Sequence, residues 1–243
     1  MNATAANPSF TVRPGDQRGT TRLGWLDSRH SFSFGRYYDP RNMGYRALRV
    51  INDDVIAPGQ GYGEHGHDNM EILTWVLDGA VRHGDSLGHD QVLVPGELQR
   101  MTAGTGIRHS EFNSSPREKV HLLQIWIEPA QAGATPAYGQ KAFDAAGRAN
   151  QWQTLASGDA ADVHAGAMSL AQDAVVRAAE LGAGASVRLD VQPGRHAYVH
   201  VATGLVRVGD FTLAGGDAIT VDEPGTLVLD GVEPGQVLWL DLA

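Results

Sequence analysis

This chain predicts an all-β fold of two β-barrel domains in tandem, on three observations. Short apolar or alternating runs of strand length dominate it, and Gly, Pro and Asp punctuate them at close intervals. The strand–turn–strand rhythm of the first half also recurs in the second. A chain of 243 residues with 42% hydrophobic content can build two cores of ordinary size, expected over residues 1–130 and 131–243.

Taken in order, YRALRVIND, MEILTWVLDGAVRH, DQVLVPGELQRMTAG and VHLLQIWIEP read as strands or strand pairs. HGDSLGHD reads as a polar hairpin tip, with His83 and His89 flanking it in solvent. His121 lies in an apolar strand and reads as a satisfied core histidine; Trp75 and Trp126 read as core or barrel lining. Pro129 to Pro136 reads as a connector, and Gln140–Gln153 has helical character without an apolar stripe. A second β-rich stretch is expected from near Val163, through ASVRLDVQPG, HAYVHVATGLVRVG, DFTLAGGDAITV, GTLVLDG and GQVLWLDLA.

Composition excludes several classes. Cysteine is absent, so a disulfide framework or thiolate metal site is impossible and any metal must use nitrogen and oxygen ligands. Residues 1–130 carry 13 Lys+Arg against 15 Asp+Glu, and residues 131–243 carry 6 against 13. Neither half has the basic excess of a general nucleic-acid binder. No apolar run approaches the ~20 residues of a membrane span. The opening MNATAANPSF lacks a basic segment followed by an apolar one. The expectation is a cytoplasmic, monomeric protein without direct nucleic-acid or membrane contact.

The chemistry sits in two short motifs. His65 and His67 stand one residue apart in EHGHDNME, and His109 and Glu111 repeat that spacing in GIRHSEFN. On a strand, side chains at i and i+2 leave the same face, so each pair aims both groups at one point. Three imidazoles and a carboxylate suit a divalent transition metal better than calcium or magnesium. Glu71 shares the parity of His65 and His67, so spacing alone admits either glutamate, or both. Gly104 and Gly106 precede His109 and permit a tight turn into its strand. In the second half, His196 and His200 are four apart without a partner motif, and that barrel is expected to be metal-free.

The run Gly59, His65, His67, Glu71, Gly79 resembles the first signature of the cupin superfamily, with a final spacer one residue longer than usual. A closer resemblance is to the pirin family, carried by WLDSRHSFSFGRYYDPRNMGYRALRVIND, HGHDNMEILTWVLDGAVRHGDSLGH, TAGTGIRHSEFN and LLQIWIEP. It is dense from Arg22 to Pro129 and weak beyond. It implies a bicupin, two double-stranded β-helix barrels, with metal in the first. By resemblance the ligands are His65, His67, His109 and Glu111, and Glu71 is a neighbouring or core residue. His30 belongs to the family signature and reads as structural packing. Glu64, Gly66 and Asp68 depart from the family's usual prolines and basic residue, which changes the charge at the cavity mouth.

The resemblance implies Fe(II) as the metal, with Cu, Ni, Co, Mn and Zn as alternatives. It implies a dioxygenase that cleaves a flavonol such as quercetin with dioxygen and releases carbon monoxide, Glu111 serving as general base. The substrate class is a small aromatic or enolisable molecule. The alternative is a non-enzymatic, redox-sensing regulator that uses its metal to act on a protein partner. A third reading, a metal that only clamps the barrel, expects no cavity beside it.

Overall fold

In the computed structural model, residues 8–243 are described; the start of the opening segment, residues 1–7, lies outside them. The described chain is almost entirely β-strand and divides into two compact units. The first comprises Arg18–Phe143 with Leu170–Gln172; the second comprises residues 8–17, Asp144–Ser169 and Asp173–Ala243.

The first unit holds strands β2 (Gly19–Arg22), β3 (Leu26–His30), β4 (Leu48–Ile56), β5 (Gly61–His67), β6 (Glu71–Asp78), β7 (Val81–Asp85), β8 (Asp90–Leu93), β9 (Glu97–Thr102), β10 (Ile107–Asn113), β11 (Val120–Ile127) and β12 (Ala137–Ala142). They form a seven-stranded sheet, β12-β9-β6-β11-β4-β3-β2, and a four-stranded sheet, β5-β10-β7-β8. The second unit holds β1 (Thr11–Arg13), β13 (Gln153–Ser157), α1 (Ala160–His164), β14 (Met168–Ser169), β15 (Ala174–Leu181), β16 (Ser186–Val191), β17 (His196–Val201), β18 (Leu205–Val208), β19 (Phe211–Ala214), β20 (Ala218–Val221), β21 (Gly225–Glu233) and β22 (Gly235–Leu242). Its sheets run β1-β20-β17-β22-β15-β13-β14 and β16-β21-β18-β19. Each unit is thus a pair of sheets sharing an interior, and the described strands do not close into a continuously hydrogen-bonded barrel.

The first compact unit runs on past residue 130 to Phe143, because β12 pairs with β9, and the second takes in residues 8–17, because β1 pairs with β20. Two expectations are corrected. The helical reading of Gln140–Gln153 reduces to one 3-10 turn, Ala145–Gly147, capped by Asp144, whose carboxylate accepts from the Ala146 N–H. Asn150, at φ 55°, turns the chain out of that path. The second β-rich stretch begins at Gln153, ahead of Val163, which lies in the one-turn helix α1.

Strand alternation explains the interiors. In β10, Ile107, His109, Glu111 and Asn113 are buried and alternate with less buried neighbours; in β16, Val187, Leu189 and Val191 do the same. In the second unit a continuous apolar cluster joins both sheets, including Leu189, Val199, Val206, Ile219, Leu229 and Val237. In the first, one cluster gathers Leu26, Ile56, Val76, Val81, Leu93, Val120 and Leu122, and a separate smaller one gathers Ile72, Met101, Ala103 and Ile107.

Candidate metal centre

Strands β5 and β10 lie side by side and antiparallel, with His109 opposite His65 and Ile107 opposite His67. The Nε2 atom of His109 lies 3.0 Å from that of His67 and 3.1 Å from that of His65. Two metal–nitrogen bonds of ~2.0–2.1 Å at a right angle would separate their nitrogens by about 2.9 Å. The spacing therefore fits adjacent positions around one ion. The Nδ1–H of His65 donates to the Gly63 carbonyl at 2.8 Å, which leaves its Nε2 lone pair free to ligate. Burial, with neighbouring imidazoles adding to it, lowers His67 to about 4 and His109 to about 3, so both rings are neutral at neutral pH. Neutral, convergent imidazoles are the donor set a borderline divalent metal requires.

Glu111 sits two residues beyond His109 on the same face of β10 and is buried. Its carboxylate accepts from Thr74 Oγ1 at 3.1 Å and Gln99 Nε2 at 3.3 Å on one oxygen, and from Gln124 Nε2 on the other. These donors belong to a polar belt across the large sheet: register places His30 opposite Asn52, Asn52 opposite Gln124, Gln124 opposite Thr74, and Thr74 opposite Gln99. All five are buried. The ligand atoms of His65, His67 and His109 lie within 4.8 Å of one another, whereas Glu111 falls in a second such group, with His83 and His109. Glu71 is in neither group. Asn69, at φ 46°, interrupts the chain between β5 and β6, so the parity linking Glu71 to the histidines does not carry through. Burial raises the Glu71 carboxyl.

His83 overturns its expected exposure. The hairpin tip lies beyond it, at residues 86–89, and its side chain is fully buried. Its Nε2 pairs with Asp85 at 3.0 Å, and its ring stacks on Tyr138 at 4.6 Å. His89 is partly exposed and shares Asp85. His121 is also only partly buried, with its Nε2 2.6 Å from Asp53. His30 is packed as expected, its Nδ1 2.8 Å from Asn52 Oδ1. Trp75 is core, whereas Trp126 packs its ring 4.8 Å from that of His67.

Beside the histidines lies a cavity of about 440 Å³, walled in part by Trp25, Phe34, Tyr62, Ile72 and Trp126. That volume lies within the range of small-molecule sites. His65, His67, His109 and Glu111 all line it, as do Asn52, Asp54 and Gln124. Asp54 and Tyr62 were not anticipated. Asp54 had a legible signal, a charged residue on the buried parity of β4, in step with Leu48, Val50 and Ile56. Tyr62 had none, being three residues from His65 and so on the opposite parity. A bulge reverses this: two steps on β10, from His109 to Glu111, match three on β5, from His65 to Tyr62.

The Pirin family model matches residues 11–127, and the Quercetinase C-terminal cupin domain model matches residues 153–242. A quercetin 2,3-dioxygenase of Escherichia coli K12 is 43% identical over 95% of this chain and 97% of its own length. A pirin-like protein of Caulobacter vibrioides is 40% identical over 95% and 98%. The crystal structure of the Escherichia coli bacterial pirin YhhW in complex with nickel(II) superposes with a TM-score of 0.89 at 39% identity, covering 96% of this chain and 99% of that one. Two cupin domains, the pirin motifs in order and relatives matched along nearly their whole length place this chain in the pirin family.

Proposed function

We propose that this chain is a metal-dependent dioxygenase that opens the heterocycle of a flavonol such as quercetin and releases carbon monoxide. The observation that carries the reading is the aromatic-walled cavity of about 440 Å³ into which three convergent imidazoles and Glu111 face. Relatives that carry the name quercetin 2,3-dioxygenase support the reaction class. His65, His67 and His109, with Glu111 as the fourth ligand, would hold a divalent transition metal, Fe(II) by preference, which would supply Lewis-acid and redox chemistry for substrate and dioxygen.

The chain's own residues supply the rest. Glu111 accepts the proton of the acidic substrate hydroxyl; its three donors, Thr74, Gln99 and Gln124, orient it before the substrate arrives. Trp25, Phe34 and Trp126 line the cavity with apolar rings suited to a flat aromatic ligand. The cavity also favours an enzyme over a metal that only clamps the fold. The regulatory alternative would require a protein partner whose affinity follows the metal's oxidation state.

The test is loss of flavonol absorbance under oxygen, with carbon monoxide trapped, using protein loaded separately with iron, nickel, cobalt, manganese or copper. Turnover with at least one metal is expected. Absence of turnover with all of them sinks the proposal.

A further inference from the structure

The β5 bulge brings a phenol to the cavity whose hydrogen is already committed. Tyr62 Oη donates to Asp54 Oδ2 at 2.9 Å, and the other oxygen of Asp54 accepts the Ser28 hydroxyl. Asp54 is 1% exposed. Burial pushes its carboxyl up from the usual carboxylate range to about 6. Both of its oxygens are already engaged as acceptors, one by the Tyr62 hydroxyl and one by the Ser28 hydroxyl. The Tyr62 ring is held edge-on against Trp25, with centroids 5.2 Å apart at 82°. A free tyrosine could donate to a ligand or accept from it. With its one hydrogen held by Asp54, Tyr62 has only oxygen lone pairs to offer.

We propose that Tyr62, fixed by Asp54 and Ser28, is a specificity-determining hydrogen-bond acceptor that selects cavity ligands presenting a hydroxyl donor and rejects the corresponding methyl ether. The ligand class, a polyhydroxylated aromatic, rests on the function proposed above. The preference itself follows from the donor–acceptor arithmetic of three residues. A methyl ether brings an acceptor against an acceptor and adds a methyl group where a hydrogen would sit. Asp54 acts through Tyr62, as a positioning residue that holds the phenol hydrogen away from the ligand.

The experiment is equilibrium binding to the full-length, nickel-loaded protein under anaerobic conditions, read by quenching of tryptophan fluorescence. The probes are quercetin and each of its mono-O-methyl ethers. Wild-type protein is expected to bind quercetin about 10-fold more tightly than at least one ether, as loss of one hydrogen bond near the upper end of its usual worth implies. Tyr62→Phe is expected to bring that ratio close to one, mainly by weakening quercetin. Asp54→Leu keeps the phenol but frees its hydrogen to donate, and is expected to shrink the same ratio mainly by improving the ether. Retained nickel stoichiometry shows that each variant is folded around its site. If quercetin binds and every ratio in Tyr62→Phe equals the wild-type value, the acceptor role is overturned while the function proposal stands. If no probe binds wild-type protein, the flavonol reading and the inference fall together.

Discussion

In the first unit the small sheet runs β5-β10-β7-β8 and buries His109 and Glu111 on β10 and His83 on β7. In the second the small sheet runs β16-β21-β18-β19, and the matching strands bury Leu189, Leu227, Leu229, Val206 and Val208. The inner strands of the large sheets match as well, β9-β6-β11-β4-β3 against β20-β17-β22-β15-β13, while the edges differ: β14 is parallel to β13 where β2 is antiparallel to β3. One strand plan therefore carries two interiors. The second is filled by apolar side chains, mostly aliphatic, with Trp239 among them. In the first, the belt of His30, Asn52, Gln124, Thr74 and Gln99 crosses the large sheet, and a cavity lies alongside. Because the plan folds with an apolar interior, the fold does not require the polar belt. A buried polar set often gives no more stability than an apolar filling of the same volume, although removing one partner alone is costly. The place of Thr74, Gln99 and Gln124 in the first unit is explained by the Glu111 carboxylate they orient.

The sharpest way to break this comparison is at Glu111. Glu111→Gln should retain metal and slow turnover by roughly 10²–10⁴-fold, the usual worth of a positioned general base. Unchanged turnover at saturating flavonol would remove Glu111 from the proposed chemistry.

The complementary change lies in the second unit. Leu229 is fully buried in the apolar cluster. Leu229→Ala should cost about 2–5 kcal/mol in chemical denaturation. Metal affinity measured by calorimetry should stay at the wild-type value, since the proposed ligands lie in the other unit. A large drop in affinity in the folded variant would mean that the interiors do not divide the work as described.

Asp54 tests the electrostatic side. Its folded value of about 6 lies above the ordinary 3.8, so burial penalises the ionised form. The penalty is absent below the ordinary value, grows as pH rises through the interval, and is complete above about pH 6. A shift of that size corresponds to about 3 kcal/mol. In metal-free protein, Asp54→Asn should therefore gain about that much stability relative to wild type on going from pH 4 to pH 7. A pH-independent difference between the two proteins would contradict the burial penalty.

A smaller effect is expected at Thr74. Thr74→Val keeps the shape but removes one donor to the Glu111 carboxylate, costing about 1.5–3 kcal/mol in denaturant unfolding, as for other hydrogen bonds to charged groups. The polar belt would lose its assigned role if Thr74→Val were both neutral for stability and silent in turnover.

Much of the site was legible because strand parity is a local property. His65, His67, His109 and Glu111 all line one cavity, as the paired i, i+2 spacing requires. What escaped depends on register and on breaks in parity. The bulge in β5 turned Tyr62 toward the histidines, and the turn at Asn69 cut Glu71 off from them. The belt spans five strands, and only their pairing aligns residues as distant in sequence as His30 and Gln99. His83 was misjudged because the hairpin tip begins after Asp85, leaving it inside the strand. The strand rhythm of both halves was readable, whereas β1 could not be assigned to the second unit without its pairing to β20.

The measurement that bears most directly on the central claim is metal content per chain, determined by mass spectrometry after loading and desalting, for wild type, His109→Ala and Leu229→Ala side by side. One divalent ion per chain in wild type and in Leu229→Ala, and none in folded His109→Ala, is the predicted result. An ion retained at full stoichiometry in His109→Ala would contradict the assignment of the first unit's interior as the metal centre.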